Sequence, residues 1–583
     1  MKRTAVIGIF LLALTLTVQG QQQAVFKTPF PDSVRIVLEN TRNLDATTVG
    51  AAFSGIWGTL GLDHQRAVMR QARVLQKKGY KLRPHLVNYF GAIADAINLE
   101  QADPAKLNGF LAVADKVIQY EDPNKANQFF SAARDFFEHH ALYYSRSYHL
   151  LAKDDDYQFD YIPGAYVPLP GDTTSAVNNQ FKQWDNNQSD QNTTWQDPPA
   201  DTVAQNPDAP PSWMQTTPPP ALTGAVIKFT RVTLNFSTPY DSTFLKGSKG
   251  SFSLRDRIFV GEGGTFDWSS TGLSGDSVYA EMTSFFFNAN KPAFKCEVAK
   301  LTYKGKIAAR VPGIFEFVSQ RHKDPRSATY PRFMSFQCNV KVEGLGGSQT
   351  NYQGGFSLNG RRIFSTCANG EYSTIEVMGK TDRKFSAQSR LFEFQDSVIS
   401  SKQTRIILYQ GNDSIYHPSM GLRYDFGKGK LALQKERSPL KDAPFSSSYF
   451  RMDFNADQIK WDLTSDSLNV YTAGGRSQQP LIIQSVDYYN PDDYQILAGH
   501  GFNFHPLGVV VGYSTATGLR EFYSDDIAQR FQLKPQEVRM AMQYLSSKGM
   551  IRYNPTTSLV QVGDKAIHFQ EASRGKTDYD NIK

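Results

Sequence analysis

Apolar and polar residues alternate with a period of two through much of the chain between residues 222 and 515. Residues 226–236 and 252–260 follow this pattern most clearly. Successive side chains of a strand point to opposite faces of a sheet, so alternation of this kind is typical of half-buried β-strands. We therefore predict a large β-rich body over residues 222–515.

Turn signals divide this body into short strands. An Asp-Ser pair stands directly before or within an apolar segment at Asp241, Asp276, Asp396, Asp413 and Asp466. Both residues start turns by bonding to nearby backbone groups, so each pair predicts the beginning of a strand. Short strands with such corners favour a parallel β-solenoid, and a pair of packed sheets (a β-sandwich) is the alternative.

A helical period replaces the alternation over residues 24–160. Apolar residues recur three and four positions apart, as at Leu86, Tyr89, Phe90, Ile93 and Ile97. Asp103-Pro104 and Asp122-Pro123 are typical helix starts. These features predict a helical domain, either a bundle or a short α-solenoid, of a kind that usually presents a groove to a partner.

Residues 161–221 are rich in Asp, Asn, Gln, Thr and Pro and poor in aliphatic residues. Burial of so few apolar groups does not offset the entropy lost on ordering, which predicts a disordered linker or a surface loop. Trp184, Trp195 and Trp213 are the exceptions, and each is interpreted as a local clasp or a docking residue.

The pattern after residue 515 predicts a compact module over residues 516–570. A capped helix from Ser524 precedes a second helix with an apolar stripe at Val538, Ala541, Met542 and Leu545. Two strands around Asn554-Pro555 follow, an order that resembles a winged helix. The second helix offers Gln536, Glu537, Arg539 and Gln543, and the hairpin adds Arg552. So few basic groups favour protein contact over DNA binding.

Both ends of the chain carry further signals. Residues 1–20 combine Lys2 and Arg3 with an apolar run that ends in small residues, which predicts a signal peptide. The mature chain is expected in the periplasm, at the outer membrane or outside the cell, without a transmembrane segment. Residues 571–583 look like the start of a further strand, so we expect the chain to be a fragment of a longer protein.

Composition is that of a globular protein, with 40% hydrophobic and 20% charged residues. The net charge of +7 is spread along the chain and gives little support for nucleic-acid binding. Cys296, Cys338 and Cys367 show no metal-binding spacing. One disulfide with a free thiol and three small buried thiols are both compatible with them, and no cofactor or metal is predicted.

The histidines and acidic runs give weak signals for a metal. Adjacent His139 and His140 point about 100° apart on a helix, so a solvated or capping role is favoured over metal binding for them and for His64. Asp154-Asp155-Asp156 is interpreted as a solvated run. Tyr416-His417-Pro418 and Phe504-His505-Pro506 are interpreted as matching turns.

An enzymatic alternative rests on three carboxylates around Trp461, namely Asp453, Asp457 and Asp462. Paired carboxylates on neighbouring strands perform acid/base chemistry in glycosidases, and exposed aromatic residues stack on sugars. A carbohydrate-active β-solenoid enzyme is therefore one alternative. Alternation supplies such residues by chance in any all-β protein, so a non-enzymatic role is preferred.

The order of signal peptide, helical domain, polar linker, β body and winged-helix-like module is similar to large exported proteins of unknown function from Bacteroidota. The phrases at residues 415–418 and 422–426 carry this resemblance together with the domain order. It implies an envelope setting and transfers no functional residue.

The preferred function is therefore an envelope scaffold that displays its domains to protein or glycan partners. A lipid or glycolipid transport or assembly role is a further alternative. Clusters such as Phe285-Phe286-Phe287 suit an apolar trough, although a core cluster explains them equally well.

Overall fold

The computed structural model describes residues 26–27, 29–164, 210–472, 481–498 and 501–583. The predicted signal peptide and most of the predicted linker, with Trp184 and Trp195, lie outside the described residues. Trp213 is described and is half exposed. Nearby, the backbone N–H of Thr217 donates to Glu297 Oε2 at 2.7 Å, so this end of the linker contacts the β body.

The N-terminal region is helical, as the 3.6-residue period predicts. Asp103 and Asp122 each cap a helix that begins with the following proline, and Asp103 Oδ1 accepts from the N–H groups of Ala105 and Lys106 at 2.8 Å. The helices are α1 (Phe30–Glu39), α2 (Leu44–Ile56), α3 (Leu62–Lys77), α4 (Val87–Asn98), α5 (Pro104–Tyr120) and α6 (Pro123–His139).

The helical region shares one hydrophobic core with the β body. Phe159, on the second strand of the chain, lies against Phe110 of α5 and against Phe136 and Phe137 of α6. The helices therefore cover one end of the sheet and are not tethered to it by the linker alone.

The β body is one 25-stranded sheet in the described residues. Its strands are β1 (Ala141–Tyr144), β2 (His149–Ile162), β3 (Gly224–Ser237), β4 (Ser242–Ser253), β5 (Ile258–Glu262), β6 (Thr265–Asp267), β7 (Val278–Met282), β8 (Ser284–Asn288), β9 (Ala293–Tyr303), β10 (Val311–Val318), β11 (Arg332–Ser335), β12 (Thr350–Gln353), β13 (Ser357–Asn359), β14 (Arg362–Phe364), β15 (Ser373–Met378), β16 (Arg383–Ser389), β17 (Glu393–Phe394), β18 (Val398–Gln410), β19 (Asp413–Asp425), β20 (Lys430–Gln434), β21 (Phe445–Ser447), β22 (Met452–Phe454), β23 (Gln458–Asp462), β24 (Leu468–Tyr471) and β25 (Ile483–Ser485).

The parallel pairing expected of a β-solenoid is wrong. Every pairing between named strands of the described sheet is antiparallel, and long strands pair with two short strands in succession, as β19 does with β20 and β21. Tight turns explain this arrangement, because a two-residue connection such as Gly411-Asn412 between β18 and β19 joins only antiparallel strands.

The Asp-Ser pairs mark strand starts, as predicted. The strands β7, β18 and β24 begin immediately after their pairs, β4 begins within its pair, and β19 begins at Asp413. His417 differs from the prediction, because it lies inside β19 and not in a turn. Tyr416 and His417 are both buried, and Pro418 follows them where the pairing of β19 with β18 shifts register. The strand thus continues past the proline through a local irregularity of the pairing.

The bounds of the β body differ from the predicted residues 222–515, because the sheet runs from β1 to β25. Residues 141–162 form β1 and β2, and β2 pairs with β3 across the predicted linker. The acidic run at 154–156 obscured the alternation of Tyr157, Phe159 and Tyr161 on this strand. At the other end, the last strand of the sheet is β25, and helices occupy most of residues 491–517.

A C-terminal module with its own hydrophobic core follows. Its core extends from Tyr489 to Ala572, and the predicted stripe of Val538, Ala541, Met542 and Leu545 is fully buried. Its three strands pair in the order β26-β28-β27. The elements are α7 (Pro491–Ala498), α8 (Pro506–Thr517), β26 (Glu521–Tyr523), α9 (Ser524–Arg530), α10 (Pro535–Ser547), β27 (Ile551–Asn554), β28 (Leu559–Val562) and α11 (Asp564–Ala572).

Phe285 and Phe287 lie in the packed core of the β body. They are 2% and 3% exposed, and both rings contact Phe259 and Phe294. The two rings are therefore part of a packed core cluster. This was the alternative to an apolar trough in the sequence analysis. Among the described residues, no helix combines the length and apolarity that crossing a bilayer requires.

Cys338 and Cys367 form a disulfide, and Cys296 is a buried free thiol. The disulfide lies at the base of the loop between β11 and β12 and joins it to the segment after β14. Of the two arrangements compatible with the sequence, the structure has one disulfide and one free cysteine.

Candidate functional site

The C-terminal module contacts the β body through its β27–β28 hairpin. Arg390 Nη2 donates to Thr556 Oγ1 at the hairpin turn at 2.8 Å. Arg405 Nη2 donates to the carbonyl oxygen of Tyr553 at 3.5 Å. Two arginines of the β body thus hold the hairpin, and its strand β27 faces the sheet.

A cleft of 640 Å³ lies between the two units. Residues of β19 and β21 form one wall, and the end of α10, β27, β28 and the start of α11 form the other. Its volume lies within the range of small-ligand sites. Clefts between two packed units are frequent binding sites, because each unit contributes side chains of its own.

Arg552 reaches across the cleft to the β body. Its guanidinium carbon lies 4.3 Å from the centre of the Tyr416 ring, a cation–π contact. Burial raises the pKa of Tyr416, while the charges of Arg405 and Arg552 lower it, so the phenol stays protonated at neutral pH. In the described part of the chain, no carboxylate lies within ion-pair distance of Arg552, which leaves its N–H groups available to an acidic ligand.

Three hydroxyl groups of cleft residues are buried without a hydrogen-bond partner among the described residues. They belong to Tyr416, Ser447 and Ser546, which are 7%, 2% and 2% exposed. An unpaired buried polar group costs about 1–3 kcal/mol. The two walls therefore meet with unsatisfied donors and acceptors, a feature more typical of binding sites than of permanent interfaces.

An ion pair joins the two units at one end of the cleft. Lys565, in the first turn of α11, bonds to Asp453 of β22, and Asp453 is 2% exposed. Asp453 Oδ1 is buried without a partner among the described residues. Gly549, at φ +70°, approaches this pair, and a Cβ there would lie 2.8 Å from Pro444, so only glycine allows the walls to come this close.

Two further ion pairs lie at the rim of the cleft. Arg520 contacts Asp564 at 3.3 Å, and Arg451 contacts Asp487 at 3.1 Å. Both arginines are more than half exposed. Exposed pairs of this kind contribute little stability and exchange partners readily.

The three predicted carboxylates have different partners. Asp453 is paired with Lys565, and Asp457 lies 3.5 Å from Lys435 Nζ. Asp462 closes a turn, and its hydrogen bonds from the Thr464 hydroxyl and N–H lower its pKa. Trp461 is 8% exposed and donates to the carbonyl of Ser465 at 3.0 Å, so it belongs to the core and offers no open ring to a sugar.

The histidines considered for metal binding do not come together at one site. His64 contacts Asn108 at 2.9 Å, and the ring of His139 stacks on Tyr144 at 3.7 Å. His140 takes the left-handed C-cap position of α6, in agreement with the capping role predicted. No group of three or more His, Cys, Asp or Glu side chains in the described ranges is arranged to hold a metal.

His140 forms a partly buried ion-pair network. Its Nδ1 lies 2.7 Å from Glu100 Oε2, and its Nε2 lies 3.0 Å from Asp155 Oδ1. Burial lowers the pKa of His140, but the hydrogen bonds to the two carboxylates outweigh this effect and raise it to about 9. Asp155 was expected to be solvated, but its side chain is only 10% exposed. The reason is its ion pair with His140, which lies where the helices contact the sheet.

The two aromatic-His-Pro phrases have structural roles. His417 is fully buried, its Nε2 donates to the carbonyl of Ala443 at 2.8 Å, and burial lowers its pKa to about 4. His505 caps α8, where its Nδ1 accepts from Gly508 N–H at 3.2 Å. The two phrases are therefore not matching turns, since the first is strand and the second is a helix start.

Little in the sequence indicated the cleft. Arg552 stood out as the basic residue of the hairpin, yet nothing in the alternation of β19 linked it to Tyr416. Comparison of the chain with protein-family models, with curated proteins and with solved structures found no match.

Proposed function

We propose that the chain is an exported, non-enzymatic envelope protein, of the kind that it resembles in Bacteroidota, which binds a protein or glycan partner in the cleft. One observation carries this proposal. Arg552, which has no carboxylate partner among the described residues, lies in the same cleft as the unpaired hydroxyls of Tyr416, Ser447 and Ser546. Such a surface suits a polar partner that brings an acidic group and hydrogen-bonding groups of its own.

The same proposal assigns a role to the β body and to the C-terminal module. The β body acts as an elongated scaffold of stacked strands, and the C-terminal module is a winged helix used for protein contact. Two observations support contact over DNA binding: Arg539 on α10 is paired with Asp525 at 3.1 Å, and the hairpin faces the sheet. A DNA-reading module instead keeps its basic groups free and its wing exposed.

Export is supported by the disulfide between Cys338 and Cys367, because disulfides persist in oxidising compartments. It is also supported by the apolar run of residues 1–20 with its basic start. The enzymatic and lipid-transport alternatives gain no such support, since Asp453 is engaged by Lys565 and the Phe285–Phe287 cluster is packed.

The test is purification of the full chain in mild detergent, followed by mass spectrometry of bound protein, glycan and lipid. The proposal expects a protein or glycan that is lost from Arg552→Gln and retained by Arg539→Gln, a matched arginine on the outer face of α10. A bound lipid, or a partner retained equally by both variants, would contradict it. Release of reducing sugars from glycans, abolished by Asp457→Asn, would support the enzymatic alternative instead.

A further inference from the structure

A second pocket, which we call the basic pocket, lies on the β body and shares no lining residue with the cleft. Its volume is 430 Å³, within the range of small-ligand sites. Four cationic side chains line it: Lys306, Arg326, Arg361 and Arg362.

The positive charge of the basic pocket is not balanced by the protein. Asp396 is the one carboxylate among its described lining residues. Arg362 reaches Glu393 only at 4.0 Å. For Lys306, Arg326 and Arg361, no carboxylate lies within ion-pair distance in the described ranges. Like charges gathered in a concave site attract and concentrate anions, so the pocket is suited to an anionic ligand.

A glycine loop brings the backbone close to these cations. Gly344 and Gly346 have φ of +67° and +76°, and a Cβ on Gly346 would lie 2.7 Å from Ile399 and 2.8 Å from Thr350. A Cβ on Gly344 would lie 3.7 Å from Lys306 Nζ. Glycine therefore allows this loop to form the floor of the pocket beside the Lys306 ammonium.

Aromatic rings complete the wall of the basic pocket. Tyr303 and Phe426 are partly buried and Phe394 is buried. Burial raises the pKa of Tyr303, and the positive charge of Arg361 lowers it. A free phosphate or sulfate ion needs only the cations, whereas aromatic faces beside them suit a ligand with an apolar face as well.

We propose that the basic pocket binds an anionic saccharide, a sugar unit that carries a carboxylate, sulfate or phosphate group. Arg361 and Arg326 hold the oxyanion through charge-assisted hydrogen bonds, and the rings of Tyr303 and Phe426 receive the C–H face of the sugar. The choice of a saccharide over a nucleotide rests on the export assumed in the proposed function; the choice of an anion rests on the pocket itself.

Isothermal titration calorimetry on the full chain tests this proposal. The probes are a sulfated heparin disaccharide and digalacturonate, with cellobiose as the neutral saccharide, inorganic sulfate and phosphate as free anions, AMP as a nucleotide, and vesicles of phosphatidylglycerol as an anionic surface. We expect one of the two acidic saccharides to bind, with weaker binding at high salt, because salt screens exposed charge.

Arg361→Gln and Arg326→Gln should each weaken that binding at least tenfold. Arg310→Gln should leave it unchanged, since Arg310 is an exposed arginine of the same body that pairs with Glu281 outside the pocket. Circular dichroism of each variant checks folding.

Four results would overturn the proposal: equal binding of cellobiose, binding of free sulfate or phosphate as tight as that of the saccharide, binding of AMP or vesicles alone, or binding of no probe. None of them bears on the cleft, where Arg552→Gln is the informative variant.

Discussion

The guanidinium of Arg552 lies 4.3 Å from the centre of the Tyr416 ring and thereby links the C-terminal module to the β body. The two residues stand on separate folding units, each with its own core. The contact leaves the arginine at the surface of the cleft and fixes its position, so the same residue joins the units and offers charge to a ligand.

This contact is expected to contribute measurable stability. In a double-mutant cycle of Arg552→Met and Tyr416→Leu, the coupling free energy of unfolding should be about 1 kcal/mol, the usual size of a partly buried cation–π contact. Chemical denaturation of the four proteins gives this value. Additive single effects would show that the ring and the guanidinium are neighbours without energetic coupling.

The ion pair between Lys565 and Asp453 should be more important to the module than any surface pair. Lys565→Met leaves a carboxylate buried without a counter-charge, at a cost of about 3 kcal/mol. Faster hydrogen exchange in peptides from α10 and β27 measures the loss, and Asp453→Asn in the same background should restore part of it. Lys534→Met, which removes an exposed pair with Glu537, is the control and should change stability by under about 0.5 kcal/mol.

The His140 network predicts a pH dependence of stability. Its pKa is raised from the ordinary 6.5 to about 9 in the folded chain, so the stabilisation is fully present below about pH 6.5 and is lost as pH rises through 9. Relative to wild type, His140→Gln should be less stable by about 2 kcal/mol at pH 6, and this difference should shrink toward pH 10. Thermal unfolding of both proteins across this range measures it. A difference that is constant with pH would mean that His140 acts through packing only.

The disulfide predicts a simple thiol count. Unfolded under non-reducing conditions, the chain should show one reactive thiol, that of Cys296, and three after reduction. Cys338→Ser with Cys367→Ser should lower the free energy of unfolding by about 3 kcal/mol, because the bond closes a loop with a sequence separation of 29. Three reactive thiols before reduction would contradict both the disulfide and the oxidising compartment that it supports.

Local chemistry in the sequence predicted much of the fold. Asp103 and Asp122 cap their helices, the Asp-Ser pairs start strands, and the stripe of α10 is buried, since each of these features depends on residues within one turn or one strand. Strand direction was mispredicted, because alternation gives the face of a side chain and not the partner of a strand.

The cleft and the basic pocket could not be predicted from local sequence patterns. Tyr416 and Arg552, or Lys306 and Arg361, come together only after the chain has folded, and nothing in either neighbourhood records the distant partner. The same holds for Asp155, which was expected to be solvated because its run is acidic and is mostly covered because it pairs with His140. Sites built from several elements thus require the pairing of strands to be known first.

The most direct test of the account is binding to the cleft. Arrays of acidic and neutral glycans and peptides are incubated with the wild-type chain, with Arg552→Gln and with Arg539→Gln, and each hit is then titrated by calorimetry. The account predicts a ligand with an acidic group whose affinity falls about tenfold in Arg552→Gln and is unchanged in Arg539→Gln. Ligands that bind all three proteins equally, or an array without any hit, would contradict it.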